Sequence, residues 1–213
     1  MLADVQNRIR RACAQAGRDP AGVRLVAVTK GHPAEEIAPL VAQGVTDIGE
    51  SRVQEGLAKA DAFPGLAVHL IGSLQRNKVK FASRFALIHS LDSLPLAEAL
   101  ARQADLGHVV PPVLVEVRLA DDGAKHGIAP EGAPGLAREA ARLGLDVRGV
   151  MTIGPRGDLP GTRRAFVRAR ELRDSLGLPE LSMGMSGDFE LAVLEGATLL
   201  RVGSALFAPP AGN

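Results

Sequence analysis

Hydrophobic positions along the chain alternate between two kinds of pattern. Short runs rich in Val, Ile and Leu, typical of buried strands, begin at Val23, Thr46, Leu66, Ala86, Pro111, Val147, Leu181 and Thr198. Most are followed by Ala- and Leu-rich stretches with helical spacing, such as PAEEIAPLVAQG, SLPLAEALARQADLG and PEGAPGLAREAARLG, which end at glycine as helices often do. The pattern predicts a regular alternation of strands and helices.

This alternation favours a parallel sheet, because each helix carries the chain back to the same edge of the sheet. The count of units predicts a (β/α)8 TIM-type barrel. The alternative is an open doubly wound sheet, but no GxGxxG motif follows the first strand run. Before that run, Leu2, Val5 and Ile9 share one helical face, which predicts an extra N-terminal helix on the outside of the domain. With no linker or break in composition, residues 1–213 are predicted to form a single domain.

Composition narrows the classes of function. The formal net charge is only +1, which gives no reason to expect nucleic acid or an anionic membrane as a partner. Cys13 is the only cysteine, so an internal disulfide and a thiolate-rich metal site are excluded, and a reducing compartment is favoured. The N-terminus lacks the apolar segment of a signal peptide, and we expect a cytoplasmic protein. The chain has no tyrosine, so no mechanism can use a phenol.

Functional groups are expected at the C-terminal ends of the strand runs, where barrels of this type place them. The first run ends in Thr29-Lys30, and a lysine at a barrel mouth can attack a carbonyl group. The alternative is that Lys30 only marks where the strand meets water.

The last two strand runs suggest a phosphate site. Ser186 and Gly187 lie between the seventh run and the amphipathic stretch FELAVLEG, and are expected at a helix N-terminus. Gly203-Ser204 is expected within strand eight, where a phosphate could approach the backbone closely. The loops after strands seven and eight are the usual phosphate site of this fold. Asp188 is an objection, because it brings like charge, and an ordinary N-cap and a strand kink remain the alternative.

Arg201 interrupts an apolar run, and a buried guanidinium must find acceptors. One possibility is an ion pair with Glu50 or Glu116. Taken with the lysine and the phosphate site, however, Arg201 fits a phosphorylated aromatic aldehyde whose ring nitrogen it would hydrogen-bond. An arginine does not readily share its proton, so that ring would be a weaker electron sink than one paired with aspartate.

The sequence resembles the pyridoxal phosphate homeostasis proteins, single-domain barrels similar to the N-terminal domain of alanine racemase. The resemblance rests on stretches spread over nearly the whole chain: AVTK ending at Lys30, DIGESRVQEG from Asp47, VHLIGSLQRNK from Val68, HSLDS from His89, GAKHGI from Gly123, RGVMTIGP from Arg148, LSMGMSGDFELAVLEGAT from Leu181 and LRVGSALF from Leu200.

The resemblance implies that the cofactor pyridoxal 5′-phosphate (PLP) forms an imine on Lys30. It further implies phosphate contacts from Ser186, Gly203 and Ser204, Arg201 at the ring nitrogen, and Met183 as a packing contact in the pocket. The chain departs from the family pattern at Ser51, where asparagine is usual, at Val68, where an aromatic residue is usual, and at Ser204, where threonine is usual. His69, Gln75, Asn77 and Lys78 match the pattern without an assigned role.

The resemblance implies a non-catalytic PLP carrier or buffer in intracellular PLP homeostasis, with apo PLP-dependent enzymes as recipients. The alternative is an amino-acid racemase of low activity. The related racemase takes its second base, a tyrosine, from another domain, and here only His69 or His126 could substitute. A third possibility is a Schiff-base aldolase acting on a sugar phosphate, which would use Lys30 but would not need Arg201 at a ring nitrogen.

Overall fold

The computed structural model describes residues 1–119, 126–155 and 157–207, and these form a closed barrel of parallel strands. Each strand pairs in parallel with the next, and β8 pairs with β1. The strands are β1 Arg24–Val28, β2 Asp47–Glu50, β3 Ala67–Leu70, β4 Leu87–Leu91, β5 Val113–Glu116, β6 Val147–Met151, β7 Glu180–Ser182 and β8 Leu199–Val202. The predicted (β/α)8 barrel is confirmed, and the open-sheet alternative is wrong.

Helices surround the barrel. They are α1 Leu2–Gln15, α2 Ala34–Ala42, α3 Val53–Ala62, α4 Leu94–Asp105, α5 Ala133–Arg142, α6 Leu159–Ser175, α7 Phe189–Leu194 and α8 Ser204–Phe207, with 3-10 helices at Pro20–Gly22, Arg76–Arg84 and Pro130–Gly132. The three helices predicted after the first, fourth and fifth strand runs are confirmed as α2, α4 and α5. No helix in the described part of the chain is long and apolar enough to cross a membrane.

The longest helix, α6, has a weak hydrophobic pattern. Its buried face consists mainly of small side chains, including Gly161, Thr162, Ala165 and Ala169, while Phe166 is its one large buried residue. Small buried residues give little contrast with a polar face, so periodicity alone did not predict this helix. The Asp158 side chain caps its start by accepting a hydrogen bond from the Gly161 N–H at 2.9 Å.

The predicted N-terminal helix is also confirmed. Helix α1 buries Leu2, Val5 and Ile9 and packs against α7 and α8, outside the barrel. The Arg8 guanidinium links α1 to α7, because its Nε donates to Glu190 Oε1 of α7 at 2.6 Å. The extra helix therefore covers the part of the molecule that contains the loops after β7 and β8.

The core has two parts. The larger one fills the space between strands and helices, and a separate cluster of five residues occupies the barrel interior: Val26, Leu87, Leu114, Met151 and Leu199. Strand residues two positions apart face the same side, so His89 and Arg201 also point inward, beside Leu87 and Leu199. The barrel interior is therefore partly polar.

One predicted boundary is wrong. Strand β8 ends at Val202, so Gly203 follows the strand and Ser204 is the first residue of α8. The chain turns there because the Leu206 N–H bonds back to the Gly203 carbonyl at 2.8 Å. In the GAKHGI stretch, residues 123–125 lie outside the described residues.

Candidate functional site

The residues predicted for the site lie at one side of the barrel mouth. Lys30 lies two residues beyond the end of β1, Ser51 directly follows β2, and Ser186 is in the loop after β7. Gly203 and Ser204 directly follow β8. Strands β7, β8, β1 and β2 are consecutive neighbours around the barrel. Their C-terminal ends therefore bring these residues to one part of the mouth.

The turn that carries Lys30 is held from several directions. Thr29 is fully buried, and its hydroxyl donates to Glu50 Oε1 at 2.5 Å. The next peptide is held by helix α3, because the Gly31 N–H donates to Glu55 Oε2 at 3.2 Å. Gly31 has a φ of +77°, a conformation that glycine adopts without strain. Lys30 itself is exposed, at the end of a turn whose backbone is fixed.

A buried ion pair lies directly behind this turn. Lys59 of α3 bonds to Glu50 Oε1 and also donates to the Thr29 carbonyl at 2.5 Å. Glu50 has no exposed surface, and its other oxygen, Oε2, has no hydrogen-bond partner among the described residues. Both Glu50 and Glu55 belong to the DIGESRVQEG stretch noted in the sequence, where Glu50 was considered only as a partner for Arg201 and no role was predicted for Glu55. We find that they position the backbone on either side of Lys30.

The loops after β7 and β8 are joined by one hydroxyl. Ser186 Oγ accepts hydrogen bonds from the Gly203 N–H at 3.2 Å and from the Ala205 N–H at 3.3 Å. A Cβ at Gly203 would lie 3.3 Å from the Cβ and carbonyl oxygen of Val28, which is closer than most real contacts. The result is a small group of backbone N–H donors next to the end of β1, both bonded to Ser186 Oγ.

The predicted helix N-terminus at Ser186 and Gly187 needs correction. Helix α7 has only six residues and its N-cap is Asp188, so both residues precede the helix. The Asp188 side chain turns back and accepts from the Met185 N–H at 2.5 Å. Burial raises the pKa of Asp188 above its ordinary value, and this weakens the objection that it brings like charge to an anion site.

Arg201 is buried inside the barrel, with 4% of its surface exposed. Its Nη1 donates to Ser182 Oγ at 2.6 Å and its Nη2 to the Thr152 carbonyl at 2.9 Å. Glu50 pairs with Lys59 instead, and Arg201 makes no ion pair within the described residues, so the ion-pair alternative is wrong. Burial lowers the pKa of Arg201 to about 10, which leaves it a cation at neutral pH.

A carboxyl group not predicted from the sequence as part of the site ends strand β5. Glu116 is 8% exposed, and burial raises its pKa to about 7, with the Asp92 charge adding to the effect and the Arg201 charge opposing it. A group that titrates near neutral pH at a barrel mouth can exchange protons with a ligand. The signal in the sequence was a glutamate inside the apolar run VLVEV, the same kind of signal that marked Arg201.

Two histidines lie in the barrel interior. His69 of β3 contacts Asp47 through Nε2 at 3.0 Å and His89 through Nδ1 at 2.9 Å. His89 of β4 contacts Ser182 Oγ through its own Nδ1 at 2.9 Å. Since Ser182 also accepts from Arg201, these residues form one continuous hydrogen-bonded chain. No role had been assigned to His69 from the sequence.

The remaining predicted residues differ in their surroundings. Met183 directly follows β7 and is fully buried in the larger core. Ser51 is half-buried at the end of β2, where its backbone lies so close to Gly72 that a Cβ there would collide with it. The structure thus places Ser51 at the mouth and Met183 in the core between the strands and the helices.

Comparison with known proteins identifies the family. The family described as "Alanine racemase, N-terminal domain" matches residues 1–209. The pyridoxal phosphate homeostasis protein of Deinococcus radiodurans is 45% identical over 201 residues, which cover 94% of this chain and 96% of that protein. The chain belongs to the pyridoxal phosphate homeostasis protein family.

Solved structures of similar proteins agree with the fold. The PipY protein of Synechococcus elongatus PCC7942, solved with PLP bound, is 38% identical with a TM-score of 0.82, covering 94% of this chain and 100% of that one. A protein of Bifidobacterium adolescentis described as unknown is 39% identical with a TM-score of 0.87, covering 96% of this chain and 92% of that one. These similarities extend over nearly the full length of this pyridoxal phosphate homeostasis family member.

Proposed function

We propose that this protein binds PLP as a Schiff base on Lys30 and serves as a carrier or buffer of the cofactor, with residues 1–213 forming a single PLP-binding domain. The observation that carries the proposal is the placement of three chemically distinct groups on consecutive strands. Lys30 follows β1, the N–H donors around Ser186 follow β7 and β8, and Arg201 lies within β8. The family relationship, and the PLP-bound PipY structure within it, supports the same ligand.

The residues fit the cofactor in charge and in hydrogen-bonding groups. The backbone donors of Gly203 and Ala205, with the hydroxyls of Ser186 and Ser204, suit a phosphate group. A guanidinium has five N–H groups, and the recorded bonds use one from each Nη of Arg201, so donors remain for a ring nitrogen. Ser51 and the buried Met183 complete the proposed set.

Each residue has a separate task in this proposal. The Lys30 amine adds to the aldehyde carbon, and one water molecule leaves as the carbon–nitrogen double bond forms. When bound, PLP supplies the aldehyde and a pyridine ring that can draw electrons. Arg201 donates a hydrogen bond to the ring nitrogen and keeps its own proton, so the ring remains a weak electron sink. Glu50, Glu55 and Lys59 hold the backbone on either side of Lys30.

A carrier role is supported by the shortage of acid–base groups at the mouth. The chain has no tyrosine, both ring nitrogens of His69 are engaged inside the barrel, and His126 contacts Ser73 Oγ at 3.0 Å at an exposed position. The one observation that favours the alternative, a racemase of low activity, is Glu116, whose pKa near 7 suits proton transfer. Racemisation through two bases requires one on each face of the substrate carbon, and the racemase alternative would have to use Lys30 as one base and Glu116 as the other.

The cofactor can be tested by absorbance and chemical trapping. Purified protein incubated with PLP is expected to show a visible imine band that borohydride removes, and mass spectrometry of the reduced protein should locate the adduct on Lys30. Lys30→Ala should lose the band, while Lys80→Ala, at another exposed lysine, should keep it. A sugar-phosphate aldolase would show neither the band nor the adduct, and that outcome would overturn the proposal.

The carrier role needs a separate measurement. Holo-protein mixed directly with an apo PLP-dependent enzyme is expected to activate that enzyme. The loss of the imine band should match the gain in activity. Racemisation of amino acids by the holo-protein at ordinary enzymatic turnover would contradict the carrier role. We also propose a cytoplasmic location, in keeping with a chain whose only cysteine, Cys13, is a buried free thiol.

A further inference from the structure

The hydrogen-bonded chain inside the barrel links two ends of opposite charge. It begins at Asp47, the first residue of β2, passes through His69, His89 and Ser182, and reaches Arg201 near the end of β8. Both histidines and Ser182 have at most 1% of their surface exposed. The chain therefore crosses the interior away from solvent, from the N-terminal end of the barrel toward the mouth.

With a neutral His69, the Asp47 end fixes the direction of every hydrogen bond in the chain. The Asp47 carboxylate can only accept, so a neutral His69 carries its proton on Nε2 and leaves Nδ1 as an acceptor. His89 must then donate from Nε2, and its Nδ1 accepts from the Ser182 hydroxyl. The oxygen of Ser182 remains free to accept from Arg201, which can only donate. All the donors consequently point toward Asp47.

We propose that the chain Asp47–His69–His89–Ser182 is a positioning device that holds the buried Arg201 guanidinium in place for a hydrogen bond to the cofactor ring. This inference rests on the proposed function and deepens it. Because the donors all point away from Arg201, no proton can pass along the chain toward the ring unless three hydrogen bonds reverse. His69, His89 and Ser182 thus act through Arg201 and do not touch the cofactor.

The energetic reason lies in the surroundings of Arg201. Its recorded acceptors, Ser182 Oγ and the Thr152 carbonyl, are both neutral, and a buried cation with neutral acceptors is costly. Aligned hydrogen bonds polarise one another, so a carboxylate at the far end makes Ser182 a stronger acceptor. The charges of Asp188 and Glu116 also favour the Arg201 cation, and Asp47 itself lies 3.8 Å from the Arg24 guanidinium. Burial opposes ionisation of Asp47, but bonds from His69 and Thr46 outweigh it and lower its pKa.

The neutral state of His89 is also supported. Burial, a positive charge on His69 if it were protonated, and the Arg201 charge all lower the pKa of His89, which lies well below its ordinary value. Protonating His89 would remove the acceptor that Ser182 needs, since both ring nitrogens would then be donors. The chain requires a neutral ring, and its buried surroundings favour one.

The direction of the chain can be tested on the protein without cofactor. Nitrogen-15 NMR of the imidazole rings at pH 7 is expected to show His69 and His89 both neutral and protonated on Nε2. Asp47→Asn should give mixed tautomers, because an amide can either accept from His69 or donate to it. A cationic ring, or a His89 protonated on Nδ1, in the unsubstituted protein would overturn the proposed direction.

The effect on Arg201 is tested with the holo-protein. Ser182→Ala removes the link to Arg201 and is expected to weaken PLP binding about tenfold, as loss of a hydrogen bond to a charged group does, and to shift the visible band. Ser182→Thr keeps the hydroxyl and should restore both, which a general packing defect would not do. Equal affinity and an unshifted band in a folded Ser182→Ala variant would refute the positioning role.

Failure of this inference can be told apart from failure of the proposed function. If the tautomers are as expected and no variant binds PLP, the interior chain is right and the cofactor assignment is wrong. If PLP binds to Lys30 but the tautomers differ, the cofactor assignment stands and the positioning chain is rejected.

Discussion

Replacing Lys59 by methionine would isolate the ion pair behind the turn that carries Lys30. Methionine is close to the lysine stem in length, so the substitution removes the charge while keeping most of the packing. It leaves Glu50, which has no exposed surface, as an uncompensated carboxylate. The only recorded bond left to that carboxylate would be the one from the Thr29 hydroxyl. The Thr29 carbonyl would also lose a donor.

The expected cost follows from this burial. Removing one partner of a buried ion pair costs about 3–5 kcal/mol of stability, whereas an exposed pair contributes roughly 0.2–1 kcal/mol. The side chains of Lys59 and Glu50 are 9% and 0% exposed, so the larger cost of a buried ion pair applies. Because Glu50 Oε2 already lacks a partner among the described residues, loss of the ammonium cannot be offset by a bond at the second oxygen.

Urea unfolding, followed by circular dichroism, measures this cost. Arg142→Met is the matched control, since the Arg142–Glu139 pair is exposed and its loss should change the free energy of unfolding by less than about 1 kcal/mol. Lys59→Met combined with Glu50→Gln should recover about half of the loss, because it leaves no buried charge. A cost for Lys59→Met no larger than that of the control would refute the reasoning, as would a double variant no more stable than the single one.

Three further predictions concern the mouth and the barrel wall. Gly203→Ala should crowd the end of β1 and weaken PLP binding about tenfold, which corresponds to roughly the 1.4 kcal/mol that a tight contact costs. Gly187→Ala, in the neighbouring loop with open space around it, should leave binding unchanged. A PLP titration of both variants compares the two affinities. Folding raises the pKa of Glu116 from 4.5 to about 7, so the protein should lose up to about 3 kcal/mol of stability as pH rises across that interval, and Glu116→Gln should remove this dependence in urea unfolding at pH 5 and pH 8. Gly149→Ala would collide with the backbone of β7 and should cost at least about 2 kcal/mol, whereas Gly135→Ala within α5 should stabilise by about 0.5–1 kcal/mol; thermal melting compares the two.

The strands were predictable because barrel strands are apolar on both faces. Eight runs of Val, Ile and Leu match the eight strands within a few residues, and closure follows from their number and parallel direction. Helix α6 was harder to predict since its buried face is built from glycine, alanine and threonine. The end of β8 was misplaced because the Gly203-Ser204 pair is followed by apolar residues that continue the strand-like pattern into a short helix.

The site was only half predictable for a different reason. Lys30, Ser186 and Arg201 can be found because each one lies within a strand run or shortly after its end, in its own part of the sequence. His69 and His89 acquire their significance only through partners on other strands, and pairing between side chains across a barrel depends on register. A signal was present, since each is a polar residue in an otherwise apolar strand, as Arg201 is. Applying that criterion to every strand would have found the interior chain.

The hydroxyl of Ser186 has a consequence for how fast a ligand could leave. It already satisfies the N–H groups of Gly203 and Ala205, so these donors have a partner before any anion arrives. A phosphate bound here would exchange one set of hydrogen bonds for another, and its departure would leave no buried donor stranded. The net cost of release would then be small, because Ser186 replaces the backbone hydrogen bonds that the phosphate gives up. The carrier role proposed above would benefit from this exchange, since the ligand could leave while the loops keep their shape.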